Sequence, residues 1–278
     1  MSKQQIQLGT VQETLLITLW ARATEASQPD PILVDNKSVE IVSQIDYDFA
    51  KLTQAKTSQV GICLRGKTLD TWVQEFLSEH PDGVVVEIGA GLNTRFERVD
   101  NGRVQWFDLD LPDSMALRRQ FFVDTDRQHS ISASVLDDTW IDPVRQAAID
   151  KAVMFVAEGV LMYLNEAQVK QLFATLLDRF PGCLFAFDSM APLMVKNQNR
   201  HDSLKLFDAR FDWSIQDIYD LSAWKPQYQV LKAIKMSDLP QHYLKRMSLF
   251  NRLMMLFPPI ANAYRLALTQ LGSRSTPI

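Results

Sequence analysis

Cysteine is scarce in these 278 residues: only Cys63 and Cys183 are present. Two widely separated thiols make neither a disulfide framework nor a Cys/His spacing suited to zinc, so both read as ordinary buried thiols and no metal site is expected. No apolar run approaches the ~18 residues needed to cross a bilayer. The first ten residues are too polar for a secretion signal, which leads to the expectation of a cytoplasmic protein with no membrane partner. A basic surplus is also missing. Twenty-nine Lys and Arg stand against 33 Asp and Glu, giving a formal charge of -4 and a pI near 5.6. With no face-sized Lys/Arg cluster, nucleic acid is not an expected partner and a small molecule is. Repeats, low-complexity tracts and long Gly/Ser linkers are absent as well, so residues 1–278 are read as one domain with enough chain to bury a large core. Oligomeric state stays open.

What the chain does contain is an apolar run that stops at a pair of glycines, Val84-Val85-Val86-Glu87-Ile88-Gly89-Ala90-Gly91-Leu92-Asn93-Thr94. Branched apolar residues at nearly every position suit a strand covered on both faces. Gly89 and Gly91 permit positive φ or close approach of a ligand to the backbone, and a helix starting just beyond would aim free N–H groups at that ligand. A tight strand-to-helix turn explains the same pattern without a ligand. The next strand, residues 104–110, ends in Asp108 and Asp110, about twenty residues after the first glycine, where a carboxylate can grip ribose hydroxyls. No third glycine stands within Leu92-Asn93-Thr94, so the loop is poorly suited to a dinucleotide pyrophosphate. A nucleoside without phosphates fits better, and S-adenosylmethionine is such a molecule.

Around this unit the spacing predicts helices over 12–25, 37–45 and 68–79 before the first strand, a helical layer over 1–80. After it come a helix over 112–122, a strand over 130–135, a strand over 152–157 ending in Glu158-Gly159, a helix over 168–180 and a strand from 183 to 187. Alternation of strands and helices predicts an α/β fold with a mostly parallel, Rossmann-like sheet over 84–278. An insertion spans about 190–225, aromatic-rich between 197 and 225. A strand follows over 228–234, and residues 264–271 read either as a final strand or as a C-terminal helix.

Three pieces of the chain, Gly89-Ala90-Gly91-Leu92-Asn93-Thr94-Arg95, Phe107-Asp108-Leu109-Asp110-Leu111-Pro112 and Ala157-Glu158-Gly159-Val160-Leu161-Met162-Tyr163-Leu164, together resemble the leucine carboxyl methyltransferase family. The likeness is to its bacterial branch related to tetracenomycin-type polyketide O-methyltransferases, and it spans nearly the whole chain. Glu13-Thr14-Leu15-Leu16 through Ala21-Arg22-Ala23 and Asp46-Tyr47-Asp48-Phe49 are similar to that family's helical cap. The resemblance implies a class I S-adenosylmethionine-dependent methyltransferase. Arg65 would then pair with the methionine carboxylate, Glu158 would sit near the methionine amino group, and Asp110, with Asp108 second, would hold the ribose. Ser134 and Val135 match the adenine positions, where an acidic residue is usual for Ser134. Glu87, Gly89, Ala90, Gly91 and Gly159 complete the expected cofactor contacts, Arg22 reaches in from the cap, and Tyr163 faces the acceptor. Asn93 stands where aspartate is common. Taken singly, Arg65 and Arg22 read equally as surface arginines, and Asp110 as the cap of a following helix.

Methyl transfer from a sulfonium asks for positioning and exclusion of water, and a carboxylate acceptor needs no general base. A phenol needs one, yet His129 and His201 lie in no catalytic constellation. The arginine that grips a peptide carboxylate in the family falls at Leu136, which argues against a leucine peptide as acceptor. Trp20, Tyr47, Tyr163, Met190, Phe207, Phe211 and Trp213 are candidates for an apolar acceptor pocket, each with an equal claim to the core. The expected activity is O-methylation of a small, largely apolar acid or phenol. The alternatives are a nicotinamide-dependent oxidoreductase and a cofactor-binding protein without catalysis.

Overall fold

The computed structural model describes residues 4–5, 14–53, 56–198 and 210–273. Within them, seven strands form one sheet: β1 Val84–Ile88, β2 Gln105–Asp110, β3 Gln128–Ser132, β4 Val153–Ala157, β5 Cys183–Met190, β6 Tyr228–Lys235 and β7 Tyr264–Leu271. Their spatial order is β3-β2-β1-β4-β5-β7-β6. The first five pair in parallel, and β7 runs antiparallel between β5 and β6. Pairing of Tyr264 with Met190 through Leu271 with Cys183 decides the reading of 264–271 in favour of a strand. Chain direction across the sheet reverses between β1 and β4, and the crevice outside the carboxyl ends of strands at such a point is where open α/β sheets bind ligands.

β1 and β4 are buried at every position because helices cover both sheet faces. On one face Val84, Val86, Phe155 and Phe185 pack against α6 (Ile141–Ala147) and α7 (Glu166–Arg179) through Trp140, Val144, Phe173 and Leu176. Edge-to-face ring pairs such as Phe155 with Phe180 and Phe173 with Phe187 fix that core. On the other face Val85, Met154 and Val156 meet Leu69, Trp72, Val73 and Phe76 of α3 (Lys56–Glu79). Each such buried side chain contributes roughly 1.5–3 kcal/mol.

The start of α3 lies a dozen residues ahead of the expected 68. Gly61 and Gly66 interrupt its helical pattern, each at a cost of about 0.5–1 kcal/mol, but packing overrides the local preference. Val60, Cys63 and Leu64 are buried against α1 (Leu15–Ala26), and a Cβ on Gly66 would already touch Leu33 at 3.4 Å. α1 and the first turns of α3 lie over the sheet's carboxyl end, and α2 (Asn36–Gln44) packs through Ile41 against Leu16 and Leu19 of α1. Residues 130–135 are also corrected: β3 stops at Ser132, and Ser134 and Val135 stand in the following turn. α4 (Arg95–Val99) and α5 (Pro112–Arg118) follow the first two strands, and α8 (Pro192–Lys196) and α9 (Leu221–Trp224) stand near the two ends of the 190–225 insertion, within it. Between β6 and β7 stand three short helices that the spacing did not show, α10 (Gln241–Leu244), α11 (Leu249–Met254) and α12 (Pro258–Ala261). No helix among the described residues is long and apolar enough to cross a membrane.

Candidate active site

A cavity of about 1160 Å³ opens at the carboxyl ends of β1, β2 and β4, roofed by α1, α3, α11 and α12. That is room for a nucleoside-sized cofactor and a second small molecule. Its floor is the glycine loop. Gly89 and Gly91 take φ of +66° and +44°, and a Cβ on Gly89 would lie 2.4 Å from Val160 Cγ2. Both position and conformation therefore demand glycine at 89. The N–H groups of Gly89 and Ala90 donate to the Leu109 carbonyl, tying the loop to the end of β2.

Asp110 closes the loop from the other side, accepting from the N–H of Gly91 at 2.6 Å and of Leu111 at 2.7 Å. Its carboxylate lines the cavity, so it is not the cap of α5; the cap position is Leu111, with no side-chain hydrogen bond. Burial raises the Asp110 pKa above the ordinary range, and the two N–H groups oppose that. Each oxygen keeps a lone pair for a ribose hydroxyl. Asp108 behaves differently. It lies one pleat deeper on β2, 2 % exposed, and does not line the cavity. Trp106 Nε1, Gln128 Nε2 and the Arg118 guanidinium donate to it, and Arg118 also donates to the carbonyls of Gly91 and Asn93. Asp108 thus touches the cavity floor only through Arg118, a clamp on the glycine loop that sequence reasoning missed.

Glu87, likewise one pleat below Gly89, is corrected in the same way: it is buried off the cavity, bound by Arg95 and by the Asn93 amide at 2.9 Å. Burial raises its pKa against the pull of Arg95. Asn93 also donates to Glu158 at 3.4 Å, and this explains the amide at that position, since a carboxylate could donate to neither neighbour.

Glu158, Gly159, Arg65 and Tyr163 all line the cavity. Arg65 is buried rather than a surface group. Its Nε donates to Glu158 at 2.9 Å, and one terminal nitrogen donates to Asp188 at 3.0 Å and to the Tyr264 hydroxyl at 2.9 Å. Its other terminal nitrogen is not used by these bonds. Tyr264 in turn donates to Asp188, and the Gly159 N–H donates to the same carboxylate at 2.7 Å. Burial would push Glu158 upward, but Arg65, Arg95 and Arg22 hold it down at about 2, so it is an anion throughout the working range.

The ion pairs continue beneath the loop. Arg95 joins Glu158 and Glu87 to Asp70, Arg98 joins Asp70 to Asp35, and Arg22 holds Asp35 at 2.9 Å and the Leu92 carbonyl at 2.9 Å. Arg22, placed on the cap by the sequence, lines the cavity while bracing the loop that carries Gly91. Breaking any one of these buried pairs leaves a charge without its partner, at a cost of about 3–5 kcal/mol. Asp35, Asp70, Arg95, Arg98, Asp188 and Tyr264 were not picked out from the sequence. A signal was available for Asp188, a carboxylate inside the otherwise apolar run of β5.

At the far end Ser134 and Val135 line the cavity. Ser134 Oγ accepts from the Leu136 N–H at 3.1 Å, so what it retains is a proton for an acceptor on a ring. At the opposite side Tyr163, Met190 and Phe211 pack together, with Tyr163 and Phe211 centroids 5.4 Å apart. Burial raises the Tyr163 pKa. Seven of the chain's ten methionines line the cavity, among them Met247 between α10 and α11, Met254 at the end of α11 and Met255 just beyond it. The remaining pocket candidates are corrected. Trp20 packs between α1 and α3, Tyr47 against Phe49, and Trp213 in the main core, because each finds an apolar neighbourhood nearer its own backbone. His129 on β3 packs its ring, tilted, against Phe107 on β2, away from the cavity, and Leu136 does not line it either. Glu13, His201 and Phe207 lie outside the described residues.

These residues fit S-adenosylmethionine: a buried acceptor at Asp110, a guanidinium with an uncommitted nitrogen beside the anion Glu158, and a loop on which Gly89 leaves no Cβ. Comparison with known proteins agrees. The leucine carboxyl methyltransferase family matches residues 15–177. Tetracenomycin polyketide synthesis O-methyltransferase TcmP of Streptomyces glaucescens is 33 % identical over 84 % of this chain and 86 % of its own length. The S-adenosyl-L-methionine-dependent methyltransferase dpfgK of Gibberella zeae is 26 % identical over 81 % of this chain and 82 % of its own. In structure, a duf574 family protein from Streptomyces avermitilis superposes with a TM-score of 0.58 at 11 % identity, covering 90 % of this chain and 96 % of that one, a likeness of fold alone. None of these relatives supports the nicotinamide alternative. The chain belongs to the leucine carboxyl methyltransferase family and is an S-adenosylmethionine-dependent methyltransferase.

Proposed function

We propose that the chain methylates an oxygen of a small, largely apolar acceptor, a polyketide-like phenol or carboxylic acid. The observation that carries this reading is the methionine-lined chamber continuous with the cofactor end of the cavity. Unbranched, polarisable methionines accommodate flat apolar molecules of varied outline. Among the described residues the cations that line the cavity, Arg22 and Arg65, already hold Asp35 and Glu158, so neither is left to fork onto a peptide carboxylate. The named activity of TcmP supports an oxygen acceptor of this class.

When bound, S-adenosylmethionine supplies an electrophilic methyl whose bonding pair leaves with sulfur. The chain's own residues supply the rest. Asp110 holds the ribose, Arg65 and Glu158 hold the two ends of the methionine amino acid, and Ser134 with Val135 borders the adenine. Tyr163 stands at the junction with the acceptor chamber and orients the incoming oxygen. The methionine walls keep water from competing with the acceptor. We read residues 1–278 as one methyltransferase unit in which the cap, 1–80, is a wall of the active site, since α1 and α3 roof the same cavity that β1, β2 and β4 floor.

The test is transfer of labelled methyl from S-adenosylmethionine to two panels, aromatic polyketide phenols and acids, and peptides ending in leucine. Labelling of the first panel and not the second is expected. Robust labelling of the peptide carboxylate overturns the acceptor assignment. Tight cofactor binding without transfer to either panel overturns the assignment of the acceptor class.

A further inference from the structure

From residue 239 to the end the chain contains no Asp or Glu, while Lys245, Arg246, Arg252, Arg265 and Arg274 all fall there. In a chain of net charge -4 this is a local reversal of sign. The same stretch carries the most exposed cluster of large apolar side chains. Leu249, Phe250, Leu253, Leu256 and Phe257, on α11 and the turn after it, are 56 to 77 % exposed. Leu249, Leu253, Leu256 and Phe257 follow one another at spacings of four, three and one, a stripe on one side of the segment. Asn251, Met254 and Met255 line the cavity, and Phe250 does so while remaining largely exposed, at the rim.

The segment is thus apolar on two sides, and burial in the cavity wall accounts for only one. Exposed apolar stripes flanked by cations are the composition of elements that lie in the headgroup boundary of an anionic bilayer. Lys245 is fully at the surface and Arg252 half-buried on α11, whereas Arg246 is tied to Glu25 and Arg265 to Asp217. A second copy of this chain is a poorer match, because a two-fold axis through the patch sets like charges against each other. We infer that α11 and the turn to α12 form an interfacial contact for an anionic lipid surface, with the cavity rim facing the layer into which an apolar acceptor partitions. The contact lies on the surface and spans nothing. It stands independently of which oxygen is methylated.

Flotation of the full chain with vesicles tests it, using phosphatidylcholine alone and an equimolar mixture with phosphatidylglycerol. Binding to the mixed vesicles, weakened by salt, is expected. Leu253→Glu with Leu256→Glu should lower that binding at least tenfold while affinity for S-adenosylmethionine and the melting temperature stay as in the parent. Lys245→Glu, outside the apolar stripe, should lower it less and flatten the salt dependence. Failure of the unaltered chain to float with either vesicle overturns the inference, as does undiminished flotation of the double variant. A dimer by light scattering that the double variant dissolves, without vesicle binding, reassigns the patch to self-association.

Discussion

Replacing Asp110 with asparagine keeps the size of the side chain and removes its charge. The carboxylate accepts one backbone N–H on each oxygen, from Gly91 and Leu111, and has one lone pair left on each for the ribose hydroxyls. An amide satisfies one N–H and turns an NH2 toward the other, so the variant loses a charge-assisted ribose contact and loosens one end of the glycine loop. The ribose part is worth about 1.5–3 kcal/mol, roughly a tenfold to 150-fold rise in Kd. Isothermal titration with S-adenosylhomocysteine measures the whole loss. Titration with the 2′,3′-dideoxy analogue isolates the ribose part, because a double-mutant cycle cancels what the substitution does elsewhere. If Asp110 grips the ribose, the substitution costs the analogue only the loop part and so clearly less than it costs S-adenosylhomocysteine. An equal loss for both ligands in a folded variant would refute the ribose role and leave Asp110 as a loop tether.

Arg65→Ala should weaken S-adenosylmethionine more than adenosine, since only the former carries a carboxylate; equal losses in titration would make Arg65 purely structural. Gly89→Ala combines a strained φ with a Cβ 2.4 Å from Val160, so a loss of about 1–3 kcal/mol in urea unfolding is expected. Adding Val160→Ala should recover part of it by removing the contact, and no recovery would disprove the steric account. If Asp110 binds the ribose as an anion, its pKa, raised by burial, makes cofactor affinity full at neutral pH and makes it fall on acidification earlier than an ordinary carboxylate would dictate. The Asp110→Asn variant should show no such titration. Glu158 is shifted the other way, held at about 2 against about 4.3 unfolded. Its contribution to stability is therefore present above the unfolded value and lost as pH falls toward the folded one, an acid limb that Glu158→Gln should flatten in thermal melts.

Local chemistry was enough to read six of the seven strands, the longer helices between them, the glycine loop and the acid at the end of β2, while residues 264–271 read equally as strand or helix. Period-two and buried runs mark strands wherever both faces are covered, and Gly89 and Gly91 signal a backbone that other residues cannot follow. The motifs resembling the family carried the choice of cofactor, and Arg65, Gly89, Gly91, Asp110, Ser134, Val135, Glu158 and Tyr163 meet at one cavity. Tertiary structure decided three things that local pattern could not. Which of two acids two positions apart reaches the cavity depends on depth below the strand end, so Asp108 is roofed by Arg118 and Asp110 is not. The partners of Arg65 and Glu158 are Asp188, Tyr264 and Arg95, remote in sequence and brought together only by the sheet, Tyr264 arriving when β7 inserts between β5 and β6. The three short helices that wall the acceptor chamber carry too few turns to show a period, and their apolar residues acquire an inside and an outside only by contact with α1 and α3.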